Sequence, residues 1–452
     1  MKQIEKVLYD GFTYIDGGVC AAKGFRANGV YCGIKENPTK KPDLCLVVSD
    51  KLCRAAGVFT SNKVKAAPVL VSKAHLEQTG GKAWGMVLSS KNANCCNADG
   101  IDKANRVCEL AAEQMGVQPE ELLIAQTGVI GQILPIEPFE QGMGKVYDGL
   151  SAENHEQAAI AIMTTDTVPK EVAVEFQLGG KTCHVGAMGK GSGMICPNMA
   201  TTLNVVTTDC AISAELLQTA LSDVVQYTYN CLYIDGDQST NDTCVVLANG
   251  LAENAEITEQ NDDYAVFRQA LYIAMSNITK MLAKDGEGAT KLLECTVTGA
   301  KDRENALAVA KSVIASDLLK CAMFGADANW GRVLCAVGYA PAEFDIDQVA
   351  VTLASRAGSV DVCKNGAGID FSEDIAKTVL LEDEIEILVS VGDGPAAATA
   401  WGCGSITAAA RRARAATMAT ACTKITVPPC ASPQCRARRR WISITACSEA
   451  TG

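Results

Sequence analysis

A glycine-rich turn in the middle of this 452-residue chain places a proline shortly before a hydroxyl residue that opens a new strand. The segment reads Lys190-Gly191-Ser192-Gly193-Met194-Ile195-Cys196-Pro197-Asn198-Met199-Ala200-Thr201-Thr202-Leu203. If the Ala200–Thr201 bond is cut, the freed α-amine has a pKa of about 7.7–8.0 and can accept the proton of its own hydroxyl. Thr201 is therefore a candidate to supply both the nucleophile and the base of an enzyme.

The same turn does not fit a phosphate-binding loop. Gly189-Lys190-Gly191-Ser192-Gly193 lacks the G-x-x-x-x-G-K-[ST] spacing. It also leads into a strand and not into a helix N-terminus that can cradle phosphate. Nucleotide binding at this turn is therefore not expected.

The composition of the chain predicts a globular protein with a large core. Hydrophobic residues make up 48% and charged residues 20% of the sequence, and the length allows more than one domain. The first residues are charged and contain no apolar signal core, and no apolar run of about 18 residues occurs. We therefore expect a cytoplasmic protein with no membrane partner.

The cysteines and histidines do not form the patterns of metal sites. The 21 cysteines are scattered through apolar stretches without a C-x-x-C pair, which indicates reduced thiols used as small hydrophobic side chains. The three histidines, His75, His155 and His184, are widely separated in sequence. We therefore expect no metal site, no zinc catalysis and no Ser-His-Asp triad.

The charge is distributed unevenly along the chain. Residues 403–452 contain seven arginines and one lysine against one glutamate, a net charge of +7. Because the whole chain has a net charge of −12, residues 1–402 carry a net charge of −19. An acidic body is not expected to bind nucleic acid. The basic stretch is rich in alanine, arginine and cysteine without helical or strand periodicity, as in a shifted reading frame, and we assign no functional residue to it.

Strand and helix patterns alternate along residues 1–402, which indicates a mixed α/β fold with layered sheets. Short apolar runs typical of strands buried on both faces occur at residues 43–48, 83–88 and 122–125. A hairpin that turns at Gly179-Gly180 leads into the glycine-rich turn. Further on, Ser213 is positioned to cap one helix, and a longer helix is predicted over residues 263–284.

The turn Lys284-Asp285-Gly286-Glu287-Gly288 is the predicted domain boundary, because strand and helix patterns start again after it. The sequence thus predicts a catalytic body over residues 1–284, a smaller C-terminal α/β lobe over residues 285–402, and an atypical tail over residues 403–452.

Over almost all of residues 1–402, the chain resembles the glutamate N-acetyltransferases of the ornithine acetyltransferase family in arginine biosynthesis. The resemblance rests on the Lys190–Leu203 segment and on further blocks that occur in the same order. These blocks are Gly57-Val58-Phe59-Thr60-Ser61-Asn62 with Ala66-Ala67-Pro68-Val69, Asn92-Ala93-Asn94, Gln126-Thr127-Gly128-Val129-Ile130-Gly131, Met163-Thr164-Thr165-Asp166-Thr167, Thr240-Asn241-Asp242-Thr243, Asp285-Gly286-Glu287-Gly288-Ala289-Thr290-Lys291 and Asp327-Ala328-Asn329-Trp330-Gly331-Arg332.

The resemblance implies a self-cleaving acyltransferase that moves acetyl from N-acetylornithine to glutamate, with acetyl-CoA as a second donor in bifunctional members and no other cofactor. Cleavage at Ala200–Thr201 would give an α chain of residues 1–200 and a β chain from residue 201, which associate as a heterotetramer. The implied fold is a layered αββα arrangement of self-processing proteins that resembles the N-terminal nucleophile hydrolases.

The resemblance also implies roles for individual residues. The matching positions are Thr201 for the nucleophile, Thr127 and Gly128 for the oxyanion hole, and Thr164, Lys190, Thr201 and Glu287 for substrate binding. An acetyl-threonine ester allows the donor to leave before the acceptor binds, which predicts ping-pong kinetics. A backbone N–H and a hydroxyl can stabilise the tetrahedral oxyanion, and a lysine can hold the carboxylate of an amino acid.

The C-terminus departs from the family. Members continue after Trp-Gly-Cys through a tyrosine-containing strand to an asparagine and a hydroxyl residue that close the substrate site, whereas Gly404-Ser405-Ile406 follows Trp401-Gly402-Cys403 here. Two alternatives to the acetyltransferase therefore stay open. One is an amidase or aminopeptidase on the same scaffold that gives its acyl-enzyme to water. The other is an inactive member that folds without a closed site.

Overall fold

The computed structural model describes residues 4–35, 40–196 and 202–405, which contain sixteen strands and ten α-helices. The strands are β1 (Phe12–Ile15), β2 (Phe25–Val30), β3 (Leu44–Phe59), β4 (Lys82–Ser89), β5 (Leu122–Gln126), β6 (Lys170–Leu178), β7 (Lys181–Lys190), β8 (Leu203–Thr208), β9 (Leu232–Tyr233), β10 (Thr243–Ala248), β11 (Ala289–Ala300), β12 (Ala350–Ser355), β13 (Gly358–Lys364), β14 (Ala367–Gly368), β15 (Glu384–Ser390) and β16 (Ala396–Ser405).

The helices lie between these strands along the chain. They are α1 (Ala67–Gln78), α2 (Gly100–Met115), α3 (Glu137–Asp148), α4 (His155–Ala161), α5 (Ala214–Tyr227), α6 (Asp262–Lys284), α7 (Arg303–Ala315), α8 (Asp317–Phe324), α9 (Trp330–Gly338) and α10 (Glu373–Leu380). None of the helices in the described ranges combines the length and the apolar character that spanning a bilayer requires.

The first sheet is folded back on itself at the long strand β3. Its strand order is β1-β6-β7-β8-β10-β3-β4-β5, with β2 also paired to β3. The first part of β3 pairs with β2 and β4, whereas residues Arg54 to Phe59 pair with β10. A buried cluster joins side chains from both parts: Cys45, Met86 and Leu123 on one side, and Met188, Val205 and Val245 on the other. The two halves of the sheet therefore pack face to face.

Helices cover both outer faces of this sandwich. Helices α5 and α6 pack on the half that contains β6, β7, β8 and β10, in a core that includes Leu221, Ile278 and Val206. Helices α1, α2 and α3 pack on the half formed by β3, β4 and β5, where Val107 and Ile124 are buried together. The order of layers is helix, sheet, sheet, helix, which confirms the αββα fold class. Strands β5, β8 and β10 are buried throughout, which the apolar sequence predicts for β5.

A second sheet has the strand order β14-β13-β12-β15-β11-β16-β9. One face packs against α6 through residues such as Leu292 and Trp401, and the other packs against α7, α8, α9 and α10 around Leu293. Strand β9 comes from the first 284 residues of the chain. Strand β16 continues to Ser405, so residues 403–405 belong to this sheet. The rest of the basic stretch lies outside the described residues.

The short-range sequence predictions are confirmed. The predicted strands form the first part of β3 and most of β4 and β5, and the hairpin between β6 and β7 turns at Gly179-Gly180, where both glycines have positive φ angles of 52° and 77°. The Ser213 hydroxyl accepts a hydrogen bond from Leu216 N, and α6 ends at Lys284. The sequence did not predict how far β3 extends, because the polar residues Ser49-Asp50-Lys51 interrupt its apolar pattern where its pairing with β4 shifts.

Removal of the Ile278 side chain should destabilise the protein strongly. Ile278 is fully buried on α6, and its Cγ2 atom would lie only 2.6 Å from a Cβ built on Gly189 of β7. We expect Ile278→Ala to lower the free energy of unfolding by about 2–5 kcal/mol, measured by urea denaturation, because it leaves a cavity in a packed core. The control is Ile375→Ala on α10, where the residue is 54% exposed and the change should stay within about 0.5 kcal/mol. Equal losses in the two variants would contradict this packing.

Candidate active site

The two halves of the sandwich bring predicted site residues together at one of its ends. Lys190 is the last residue of β7, and Thr127 directly follows β5 in the opposite layer. The Lys190 ammonium donates a hydrogen bond to Thr127 Oγ1 over 3.4 Å. Lys190 is only 8% exposed, so its charge is held at the inner edge of the site. The fold thus joins two residues that lie 63 positions apart in sequence.

The Thr127–Gly128 turn is held against the segment after β4. Thr127 N donates to Ser89 O over 3.0 Å, and Val129 N donates to Lys91 O over 2.9 Å. Gly128 has a φ angle of 138°, and a Cβ at this position would lie 2.0 Å from the Lys91 carbonyl, so the turn requires glycine. Within the described part of the chain, the Gly128 N–H has no hydrogen-bond acceptor. The Gly128 N–H and the Thr127 hydroxyl are therefore the donors that this turn can offer a ligand.

A buried lysine connects the loops around Lys190. Lys170, 1% exposed, donates to Asp166 Oδ1 over 2.7 Å and to Asp285 Oδ2 over 2.8 Å. Asp166 also accepts the backbone N–H groups of Gly191 (2.7 Å) and Thr164 (3.0 Å). The network therefore fixes the glycine-rich turn and the backbone of Thr164 relative to each other.

The charges of this network shift the pKa values of its acids. Burial by itself raises the pKa of Asp166, but the ammonium groups of Lys190 and Lys170 outweigh it and hold the pKa well below its usual range. For Asp285, burial also opposes the shift, and Lys170 lowers the pKa below the ordinary value. Both acids are therefore ionised at neutral pH.

Lys190 experiences the opposite effect. Burial lowers its pKa because desolvation disfavours the ammonium form. The negative charge of Asp166 opposes this change, and the nearby Lys170 cation adds to it. The charges of Asp242 and Glu287 also favour the ammonium form of Lys190. An additional carboxylate from a ligand would stabilise that form further.

Glu287 lies beside the glycine-rich turn. Its backbone N donates to Ser192 O over 2.8 Å, and its carboxyl carbon would lie 2.7 Å from a Cβ built on Gly193. The Ser192 hydroxyl donates to Asp285 O over 2.8 Å, which joins the same two turns again. Glu287 and Thr164 are both exposed, so their side chains are accessible from solvent.

Ala200 and Thr201 lie outside the described residues. The nearest described residue, Thr202, accepts a backbone hydrogen bond from Thr243 N over 3.0 Å. The next residue, Leu203, is the register partner of Lys190 across β7 and β8. The strand that follows Thr201 therefore starts directly beside Lys190.

Sequence analysis assigned no role to five titratable residues near this site. Asp166, Lys170 and Asp285 form the network described above. Asp242 is buried, which raises its pKa well above the ordinary value, and its Oδ1 atom has no hydrogen-bond partner among the described residues. Lys35 donates to Pro42 O and Met163 O, and burial lowers its pKa to about 8. The acidic residues stand in the sequence blocks noted above. No sequence signal marks Lys35, because its acceptor, the Met163 carbonyl, lies 128 positions away in the chain.

One group of atoms has the proximity that metal ligands need. Among the described residues, ligand atoms of Cys183, Asp209 and Cys210 lie within 4.8 Å of one another. The Asp209 carboxylate already accepts hydrogen bonds from His184 N (2.8 Å) and Lys23 N (3.1 Å), and it lies 2.6 Å from His184 Nδ1. Cys183 is near the start of β7, so the group lies at the opposite end of this strand from Lys190.

The αββα layering is that of the N-terminal nucleophile hydrolase fold class. A family model described as the ArgJ family matches residues 26–407, and the chain belongs to this family. Its relatives are named as bifunctional proteins of arginine biosynthesis. The chain is accordingly an enzyme of this family.

The similarity to sequences named ArgJ covers most of both chains. Arginine biosynthesis bifunctional protein ArgJ 1 of Clostridium acetobutylicum is 47% identical over 380 residues, which are 84% of this chain and 92% of the relative. The ArgJ protein of Caldanaerobacter subterraneus subsp. tengcongensis is 45% identical over 390 residues, 86% of this chain and 96% of the relative.

Two solved structures are also similar. The crystal structure of ArgJ from Bacillus halodurans is 41% identical, covers 47% of this chain and 98% of its own, and has a TM-score of 0.44. The ornithine acetyltransferase of Mycobacterium tuberculosis, solved in complex with ornithine, is 36% identical, covers 42% of this chain and 100% of its own, and has a TM-score of 0.38.

Replacement of Lys170 should be costly because it leaves two buried carboxylates without their shared cation. We expect Lys170→Met to lower the free energy of unfolding at pH 7 by about 3–5 kcal/mol, measured by urea denaturation. The control is Arg26→Met, which removes an exposed ion pair with Asp50 and should cost no more than about 1 kcal/mol.

The cost of Lys170→Met should depend on pH. In the wild type, the folded pKa values of Asp166 and Asp285 lie below the unfolded value of about 3.9, so the stabilisation is present above that pH and is lost as pH falls through the folded values. In the variant, Asp285 loses the cation that lowers its pKa, so burial raises that pKa, whereas Lys190 still favours the ionised form of Asp166. The folded variant therefore binds a proton at a higher pH than the folded wild type. The difference from wild type should therefore shrink as pH falls from neutral towards the unfolded value of about 3.9, and a constant difference would contradict the pairing.

Proposed function

We propose that this enzyme transfers acetyl from N-acetylornithine to glutamate through an acetyl-Thr201 intermediate. The observation that carries the proposal is the convergence of Lys190 and the Thr127–Gly128 turn, 3.4 Å apart, beside the strand that follows Thr201. Curated relatives of 45–47% identity named for arginine biosynthesis support the same pathway. In the amidase alternative, the acyl-enzyme gives its acyl group to water. In the inactive alternative, the protein folds without a closed site and forms no product.

The first half-reaction starts after cleavage of the Ala200–Thr201 bond. The free α-amine of Thr201, with a pKa of about 7.7–8.0, takes the hydroxyl proton while the oxygen attacks the acetyl carbon of N-acetylornithine. The carbon–nitrogen bond breaks, and ornithine leaves with that proton. In the second half-reaction the glutamate amine attacks the ester carbon, the carbon–oxygen bond to Thr201 breaks, and the proton of the amine returns through the α-amine to the threonine oxygen.

Both half-reactions pass through a tetrahedral oxyanion. The Thr127 hydroxyl and the Gly128 N–H project from one turn and are the donors that it offers to this charge. Donors that are fixed before the reaction need no reorganisation when the charge develops, which commonly contributes several kcal/mol. The hydrogen bonds from this turn to Ser89 and Lys91 supply the required rigidity.

Substrate binding uses the charges around the glycine-rich turn. Lys190 binds the α-carboxylate of ornithine or glutamate, and the ligand charge restores the ammonium form that burial disfavours. Glu287 is suited to an amine, because its carboxylate is exposed beside Gly193. Thr164 adds a hydroxyl from a loop that Asp166 fixes. The charges match an amino acid that carries both an amine and a carboxylate.

The α chain (residues 1–200) and the β chain (from residue 201) would remain associated after cleavage. Strand β8 pairs with β7 on one side and with β10 on the other, so the first strand of the β chain lies inside a sheet. We propose that the paired chains associate further into a heterotetramer in the cytoplasm. We also propose that acetyl-CoA serves as a second acetyl donor.

Processing tests the identity of the nucleophile. The purified protein should consist of two fragments by intact-mass measurement, with the second beginning at Thr201 by N-terminal sequencing. Thr201→Ala should remain one chain, because it lacks the hydroxyl, whereas the neighbouring Thr202→Ala should still be cleaved. A second fragment that begins at Thr202 in the wild type would overturn the assignment.

Kinetics tests the oxyanion turn. Thr127→Ala should lower kcat by roughly 10–1000-fold and leave KM for N-acetylornithine little changed, because the lost donor acts mainly in the transition state. The control is Thr182→Ala near the start of β7, far from Lys190 along the strand, which should leave kcat unchanged. An unchanged kcat for Thr127→Ala would show that the turn is structural. Acetate release without acetylglutamate formation would favour the amidase alternative.

A further inference from the structure

Asn241 bridges the two layers of the sandwich at the end where the site lies. It is 4% exposed and lies two residues before β10, in the layer that contains β8. Its side-chain Nδ2 donates to Ala93 O over 2.6 Å and to Gln126 O over 2.8 Å. Both acceptors belong to the opposite layer, where Ala93 follows β4 and Gln126 is the last residue of β5. One amide thus makes two hydrogen bonds across the layers.

The two acceptor carbonyls lie on either side of the proposed oxyanion turn. Gln126 directly precedes Thr127, and Ala93 is bonded to the residue after Gly128, because Ala93 N donates to Val129 O over 3.0 Å. The carbonyls can only accept hydrogen bonds, so the amide nitrogen must face them. The amide oxygen accepts the Thr240 hydroxyl over 2.6 Å, which fixes the same orientation.

The segment that contains Asn241 is also bonded to the strand after the proposed nucleophile. Thr243 N donates to Thr202 O over 3.0 Å, and Thr243 is the register partner of Leu203. Residues 241–243 therefore connect the start of β8 directly to the Thr127–Gly128 turn. Lys190 makes a second connection, because it is the register partner of Leu203 and donates to Thr127 Oγ1 over the longer distance of 3.4 Å.

We propose that Asn241 is a positioning residue that sets the Thr127–Gly128 turn at its working distance from the start of β8. The inference rests on the proposed function, in which that turn stabilises an oxyanion formed on the nucleophile. A displacement of about 1 Å between reacting groups can cost about 100-fold in rate. Without the amide, the turn keeps its hydrogen bonds to Ser89 and Lys91 and the 3.4 Å contact with Lys190, but it loses the two shorter hydrogen bonds that flank it from the other layer.

The test compares Asn241→Ala and Asn241→Asp with wild type. The aspartate has the same shape but no N–H, and it places an acceptor against two carbonyls. Both variants should lower kcat by about 10–100-fold while KM for N-acetylornithine changes by less than about 3-fold, because the substrate-binding charges are elsewhere. Rates are divided by the fraction of cleaved chain from intact-mass measurement, so incomplete processing does not count as slow catalysis.

Asn249 provides a matched control at the other end of β10. It is 3% exposed, and its Nδ2 also donates twice, to Lys23 O over 2.8 Å and to Ser49 Oγ over 3.1 Å. Asn249→Ala removes an equivalent buried amide and should lower Tm by an amount similar to Asn241→Ala. Its kcat should equal that of the wild type.

A double variant tests whether Asn241 acts through the turn. In a Thr127→Ala background, Asn241→Ala should lower kcat by less than it does in wild type, because part of the group that it positions is already missing. Equal kcat losses at Asn241 and Asn249, or failure of both Asn241 variants to fold when Asn249→Ala folds, would show a structural role and overturn the inference.

The outcomes also separate this inference from the proposed function. A kcat loss in Thr127→Ala without a loss in Asn241→Ala overturns the positioning role alone. An unchanged kcat in Thr127→Ala overturns the oxyanion role of the turn, and the positioning role with it.

Discussion

The ion pairs of buried Lys170 with Asp166 and Asp285 organise the candidate site. A cation and two anions out of contact with water are costly unless each meets a partner, so the three groups must stay together for the fold to be stable. Asp166 holds the Gly191 and Thr164 backbones, and Asp285 precedes the turn that carries Glu287. The proposed substrate-binding positions are thus fixed by a group that need not touch substrate.

The bend of β3 has an equally direct effect on the site. A flat nine-stranded sheet would place the end of β5 far from the end of β7, because four strands lie between them in the sheet order. Folding the sheet at β3 turns this distance into a contact between layers, and Lys190 meets Thr127 there. The site is therefore formed by both layers, and Asn241 joins them at the same end.

Part of this arrangement could be predicted from the sequence. The apolar strands, the Gly179-Gly180 hairpin and the long helix follow from local patterns, and the family resemblance indicated the αββα fold. The bend of β3 could not be predicted, because Ser49-Asp50-Lys51 resembles the end of a strand. Asp166 and Lys170 are four residues apart, yet their partner Asp285 lies 115 positions beyond Lys170, and no local pattern predicts that contact. The roles of Thr201 and of the residues around it remain predictions.

Helix α6 is buried along most of its length because it lies between the first sheet and the second. A helix that is apolar on opposite sides has no face for water, so neither sheet can separate from it without exposing core surface. The two sheets should therefore melt as one cooperative unit, and a calorimetric scan should show a single heat-capacity peak in spite of the two separate hydrogen-bonded ladders. Helix α6 ends immediately before Asp285, so the helix that packs against both sheets leads directly into the turn that carries Glu287.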